Sequence, residues 1–239
     1  PIRPTRRRRS TLQEGLADMR TRFDAELESL YVDMIKMGAL SEDALSKLAA
    51  ALGSDDRSML GAVAEVSRQI DEKEREIEAL CLRLLLRRQP VARDLRTISS
   101  AMKMVGDIER IGDNAADIAE IIPFLSVSEL PKAIGLDSMI ASVTGMVTDA
   151  IDAFVHYDAA KANAVVGSDD IVDNAFDRAK SAITDMIRNG DKNAAEAPDL
   201  LMIAKYLERM GDHAASLARW VLTALDATGD WINNPAKVE

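Results

Sequence analysis

The chain reads as an all-α protein, built from six long helices as two pseudo-repeated antiparallel three-helix bundles. Three observations predict this. Apolar residues recur at intervals of three and four over runs of about 30 residues. The composition is rich in helix formers, with only 4% aromatic residues and seven prolines, as in helical proteins generally. The second half of the chain also repeats the layout of the first, with matching acidic segments.

The elements follow from the pattern in order. Residues 1–18 carry a basic run at Arg6–Arg9 and precede Met19, where the first clear helical pattern opens. They are expected to form a basic N-terminal extension, a disordered arm or a cloning remnant. From Met19, the positions Phe23, Leu27, Leu30, Met34 and Met37 mark one helix face. The face continues through Leu45, Leu48 and Leu52 to a stop at "GSDD". A second helix is expected over 56–88, with Val63, Ile70, Ile77 and Leu84 in heptad spacing. Pro90 ends it, because the residue before proline is pushed away from helix, and opens the next at its first turn. The third helix runs from Pro90 to Ile122. "LSVSELPKAIG" is the clearest break in the chain. Beyond it, helices are expected over 132–157, 159–189 and 196–226. The chain thus divides into the extension, a first bundle over 19–124, a second over 125–228 and a tail over 229–239.

Composition excludes several functions. A net charge of −10 argues against a nucleic-acid partner, since phosphate contacts need a basic surface. No apolar run is read as long enough for a membrane span and no secretory signal is visible, so a soluble cytoplasmic protein is expected. Cys81 is the single cysteine; it lies on an apolar stripe and reads as a small buried hydrophobe.

The chemistry lies in two related stretches, "GDIERIGDNAADIAE" (106–120) and "KYLERMGDHAASLAR" (205–219). Glu109 and Asp113 stack on one helix face, and like charges at this spacing cost roughly 0.2–0.5 kcal/mol. Gly112 lies in the same turn, where an interior glycine costs about 0.8–1.0 kcal/mol relative to alanine. Glu208, Gly211 and Asp212 reproduce the arrangement 99 residues on. The stripe Leu95, Ile98, Met102, Val105 continues into Glu109 and Gly112; Leu201 and Ala204 continue into Glu208 and Gly211. Asp169 falls on the fifth helix's stripe, with Asp173 four residues on. "SRQID" (67–71) aligns with "DDIVD" (169–173) at a slide of 102.

An acidic i,i+4 pair is ordinarily a solvated face. Carboxylates on a seam must instead be paired, protonated or bound to a cation. With no lysine read on either seam, a divalent or trivalent hard cation held by oxygens of two facing helices satisfies the pattern. The glycines then leave room for a close helix or for an ion with its waters. His213 reads as a surface residue rather than a ligand. A carboxylate-bridged metal-storing or metal-dependent helical-bundle enzyme is the alternative. Di-iron bundles of that kind use Glu-x-x-His, whereas the third position after Glu109 and Glu208 is glycine. No catalytic nucleophile or base stands out, so an enzyme is not expected.

"EIEALCLRLLLRRQPVARDLR", "DIERIGDNAADIAE" and "YLERMGDHAASLA" together resemble the PhoU family of bacterial phosphate-uptake regulators over residues 19–226. The resemblance implies two three-helix bundles, no catalysis, and metal clusters of iron, zinc, manganese or magnesium. It implies a negative regulator of phosphate-starvation signalling, peripheral to the membrane through its partners. Those partners would be a phosphate ABC transporter ATPase and a phosphate-sensing histidine kinase. A homodimer is also expected. Carried onto this chain, the metal motifs fall on Glu109, Asp113, Glu208 and Asp212, with Asp169 and Asp173 from the second half's partner helix. In the first half Ser67 replaces the leading aspartate and leaves Asp71. The first site is therefore expected to bind metal more weakly than the second, with Asp117 as a compensating acid opposite Ser216.

Overall fold

The structure is a computed structural model that describes residues 6–53, 57–88, 90, 92–125 and 129–226. Seven helices follow one another: α1 (Arg6–Leu52), α2 (Leu60–Arg88), α3 (Ala92–Ile121), α4 (Glu129–Ala133), α5 (Leu136–His156), α6 (Ala159–Arg188) and α7 (Ala197–Leu225). No strand occurs among the described residues. Six of the helices are the long ones the periodicity predicts, and α4 is a single short turn inside the "LSVSELPKAIG" break. The tail over 229–239 lies outside the described residues.

Three expectations need correction. The first helix begins at Arg6, not Met19, so the basic run continues the helix backbone instead of forming a separate arm. Helix α5 is long and apolar enough to cross a membrane by length and composition, contrary to the expectation that no such run exists. Its Leu136, Met139, Val143, Val147 and Phe154 are buried, and it packs on α1, α6 and α7. Leu95 and Leu201, placed on the seam by their heptad spacing, are 41% and 37% exposed.

The physical reason for the third correction is that α3 and α7 each pack on two sides. Each closes its own bundle, α3 against α2 and α1 and α7 against α6 and α5, and they also pack on each other. A heptad stripe describes one seam only. The buried face of α3 is wider, running through Ile98, Ala101, Met104, Ile108, Ile111 and Ala115. The contacts of His213 with Asp107 and of Tyr206 with Asp117 show α3 and α7 running antiparallel. One continuous core results, from Leu30, Met34 and Leu48 of α1 to Leu207 and Met210 of α7.

Local details fix the ends. Asp158 caps α6 by accepting the Lys161 backbone N–H at 2.9 Å. The Arg57 guanidinium donates to the carbonyls of Ile122 and Leu125, pinning the turn that follows α3. Cys81 is fully buried, and burial pushes its thiol up to about 12.

Candidate metal centre

The two glycines set the geometry. A Cβ built on Gly112 would lie 2.9 Å from Ile70 Cδ1, and one on Gly211 would lie 3.0 Å from Val172 Cγ1. Both glycines therefore let a neighbouring helix approach closely: α2 onto α3, and α6 onto α7. Of the two purposes the sequence left open for them, the close helix is the one the structure shows. The approach brings the acids of α2 beside those of α3, and the acids of α6 beside those of α7.

In the first half, one carboxylate oxygen from each of Asp71, Glu109 and Asp113 lies within 4.8 Å of the others. Asp71 and Glu109 are half-buried and Asp113 is exposed, so the group sits on the rim of the α2–α3 seam. Asp71 Oδ1 is buried without a hydrogen-bond partner, a costly state for a carboxylate oxygen. The Glu109 carboxyl is pushed up to about 7, first by burial and then by the charges of Asp113 and Glu74. Glu74 is itself raised, by burial and then by Glu78 and Asp71. Arg110 Nε lies 3.5 Å from Glu109, on a side chain 67% exposed, and the charges of Arg75 and Arg110 pull Glu74 down. Three converging oxygens with an unsatisfied buried one fit a hard cation.

The second half is arranged differently. Burial and the charges of Glu208, Asp169 and Asp173 raise the Asp212 carboxyl, while Lys205 pulls it down. Burial and Asp173 raise Asp169, and Arg219 pulls it down. Two cations lie among these acids: Lys205 Nζ is 2.5 Å from Glu208 and Arg219 Nη2 is 3.5 Å from Asp169. Among the described residues, the convergence seen at Asp71, Glu109 and Asp113 has no second instance.

Comparison with known proteins identifies the fold and its repeats. The family model described as the PhoU domain matches residues 34–122 and 136–221. The chain belongs to the PhoU family. A phosphate-specific transport system accessory protein PhoU homolog of Pseudomonas putida is 34% identical over 208 residues, covering 86% of this chain and 81% of its own. The crystal structure of PhoU from Pseudomonas aeruginosa superposes with a TM-score of 0.77 at 32% identity, over 85% of this chain and 98% of that one. That of the phosphate transport system regulatory protein PhoU from Streptococcus pneumoniae gives 0.78 at 28%, over 84% and 96%.

Within this PhoU chain the converging oxygens lie in the first repeat, where Ser67 stands in place of an aspartate. The half that lacks an aspartate has the converging oxygens, and the half that keeps all four acids has its own cations. Asp117 turns away from this role, since it meets Tyr206 of α7. The sequence reading missed Lys205, Arg219 and the His213–Asp107 contact at 3.0 Å between the two halves. Lys205 was legible, because it stands three residues before Glu208 on the same helix face. The other two contacts depend on how helices cross, which no spacing within one helix reports.

Proposed function

We propose that this PhoU-family chain is a metal-binding, non-enzymatic regulator of phosphate uptake and of phosphate-starvation signalling. It acts in the cytoplasm as an adaptor between the phosphate ABC transporter ATPase and a phosphate-sensing histidine kinase. Its association with the membrane is through those partners, and it works as a homodimer. The names of its relatives support the transport role: accessory protein of the phosphate-specific transport system.

The observation that carries the metal assignment is the convergence of Asp71, Glu109 and Asp113 around a buried, unpartnered oxygen. These residues would hold the ion. Oxygen donors of this kind take magnesium, manganese or iron, and carboxylates also serve zinc. The cation would supply positive charge to a rim where three acids crowd together, and so draw α2 and α3 together. Glycine at the third position after Glu109 and Glu208 removes the histidines that a carboxylate-bridged redox enzyme uses.

Two measurements test the proposal. Metal analysis of the purified chain beside Glu109→Ala is expected to find metal in the first and less in the second; equal contents would sink the metal assignment. A bacterium stripped of its own homologue and given this chain is expected to regain repression of phosphate-starvation genes. Continued expression at high phosphate would rule out the regulatory role. Light scattering decides the dimer.

A further inference from the structure

The two carboxylate sets are best compared position by position. Ninety-nine residues separate Gly106 from Lys205, Glu109 from Glu208 and Glu120 from Arg219; 102 separate Glu74 from Phe176 and Ser67 from Asp169. In the second half, Lys205 Nζ lies 2.5 Å from Glu208 and 5.3 Å from the centre of the Phe176 ring. A cation over an aromatic face is held there by the ring's quadrupole. In the first half the same two positions carry Gly106 and Glu74. A Cβ built on Gly106 would find Glu74 Oε1 at 4.0 Å, so an acid and open space stand where the second half has an ammonium and a ring. The second pair of differences works the same way. Asp169 has Arg219 at 3.5 Å, whereas its counterpart Ser67 carries no charge and the counterpart of Arg219 is Glu120.

Three of these four exchanges move charge in the same direction; the fourth, Ser67 against Asp169, gives the second half an extra acid, and Arg219 answers it at 3.5 Å. Relative to the second half, the first has Glu74 beside Glu109 and lacks the ammonium and guanidinium of Lys205 and Arg219. A hard cation drawn to crowded carboxylates is repelled by a tethered ammonium among them, and the attraction falls as the acids are neutralised.

We propose that Lys205 and Arg219 are built-in counter-ions that stand in for metal in the second half, so that hard cations bind this chain at Asp71, Glu109 and Asp113 alone. Lys205 is a specificity-determining residue and the position of Gly106 is its counterpart. The inference rests on the metal assignment above and adds which half carries it out.

The test is titration of the full-length chain with Mn2+, following free Mn2+ by electron paramagnetic resonance. Circular dichroism checks that each variant is folded. In the wild type, binding is expected to fall in Glu109→Gln and to be unchanged in Glu208→Gln. Lys205→Gln is expected to create a second class of sites, at least tenfold tighter than any residual binding in that half. Gly106→Lys, which places an ammonium beside Glu74 and Glu109, is expected to weaken the first site by at least tenfold. Equal losses in Glu109→Gln and Glu208→Gln would overturn this inference while leaving the metal assignment standing. No Mn2+ bound by the wild type would overturn both. If Gly106→Lys fails to fold, Lys205→Gln decides alone: no gain of sites overturns the proposal.

Discussion

The helices α2 and α6 occupy equivalent places in the two repeats but contribute unequally to the core. Helix α2 buries Val63, Val66, Ile70, Ile77, Leu80, Cys81 and Leu84. Helix α6 buries only Ala162, Val165, Val172, Ala179 and Ile183. Position for position, Ile70 corresponds to Val172 and Ile77 to Ala179 in the repeat. More of the α2 side chains are fully buried, while α6 packs on the core partly through the half-buried Val166, Phe176 and Met186. Two copies of one layout can therefore share a backbone plan and differ in how firmly, and with what charge, each outer helix is held.

The largest expected effect comes from copying the weaker half into the stronger. Ile77→Ala reproduces Ala179 in a fully buried site and should cost about 2–5 kcal/mol, measured by urea unfolding. A cost below about 1 kcal/mol would mean that α2 is held no more firmly than α6. Hydrogen exchange offers the same comparison without mutation, and α6 amides are expected to exchange faster than those of α2.

Acidity comes next. The Glu109 carboxyl, raised to about 7, binds its proton more tightly when the chain is folded than when it is unfolded. In metal-free protein, this group's contribution to stability therefore falls as pH rises from about 4.5 to about 7. A metal ion held there as proposed would have to displace that proton, so its affinity should drop about tenfold for each pH unit below about 7. Glu109→Gln should flatten the stability profile, and an unchanged profile would remove Glu109 as its cause.

A smaller difference separates the glycines. Gly211→Ala sets a methyl 3.0 Å from Val172 Cγ1 and 3.2 Å from its Cβ, against a stiff branched side chain. Overpacking of about 1–3 kcal/mol should outweigh the roughly 1 kcal/mol gained in helix propensity. Gly112→Ala meets first the far end of the longer Ile70, which can rotate, so its net cost should be the smaller. Thermal unfolding of both variants checks the order, and a less stable Gly112→Ala would reverse it. Asp158→Ala, which removes the α6 cap, should cost about 1 kcal/mol; no change would mean that α6 starts without its cap.

Much of this was legible from the chain itself. Pro90, the "GSDD" stop and the break around "LSVSELPKAIG" mark where helices end, because proline and glycine act locally. Glu109 and Asp113, and their copies, stand out because i,i+4 spacing is a property of one helix. The placement of Leu95 and Leu201 failed because α3 and α7 serve two seams at once. The different make-up of the two halves was hidden for a related reason. Counting acids along α2 and α6 registers Ser67 against Asp169 but misses Arg219, which reaches across from α7.

The antiparallel packing of α3 on α7 has a consequence for communication. Neither repeat owns a private interior, so heat should take both apart in a single transition. An ion bound at one repeat, as proposed, would stabilise the native whole, and every surface of the molecule would share in that gain. On the proposed function, a partner resting on the far repeat would meet a more stable molecule when the near one is occupied, and would respond to cation supply without touching the ion.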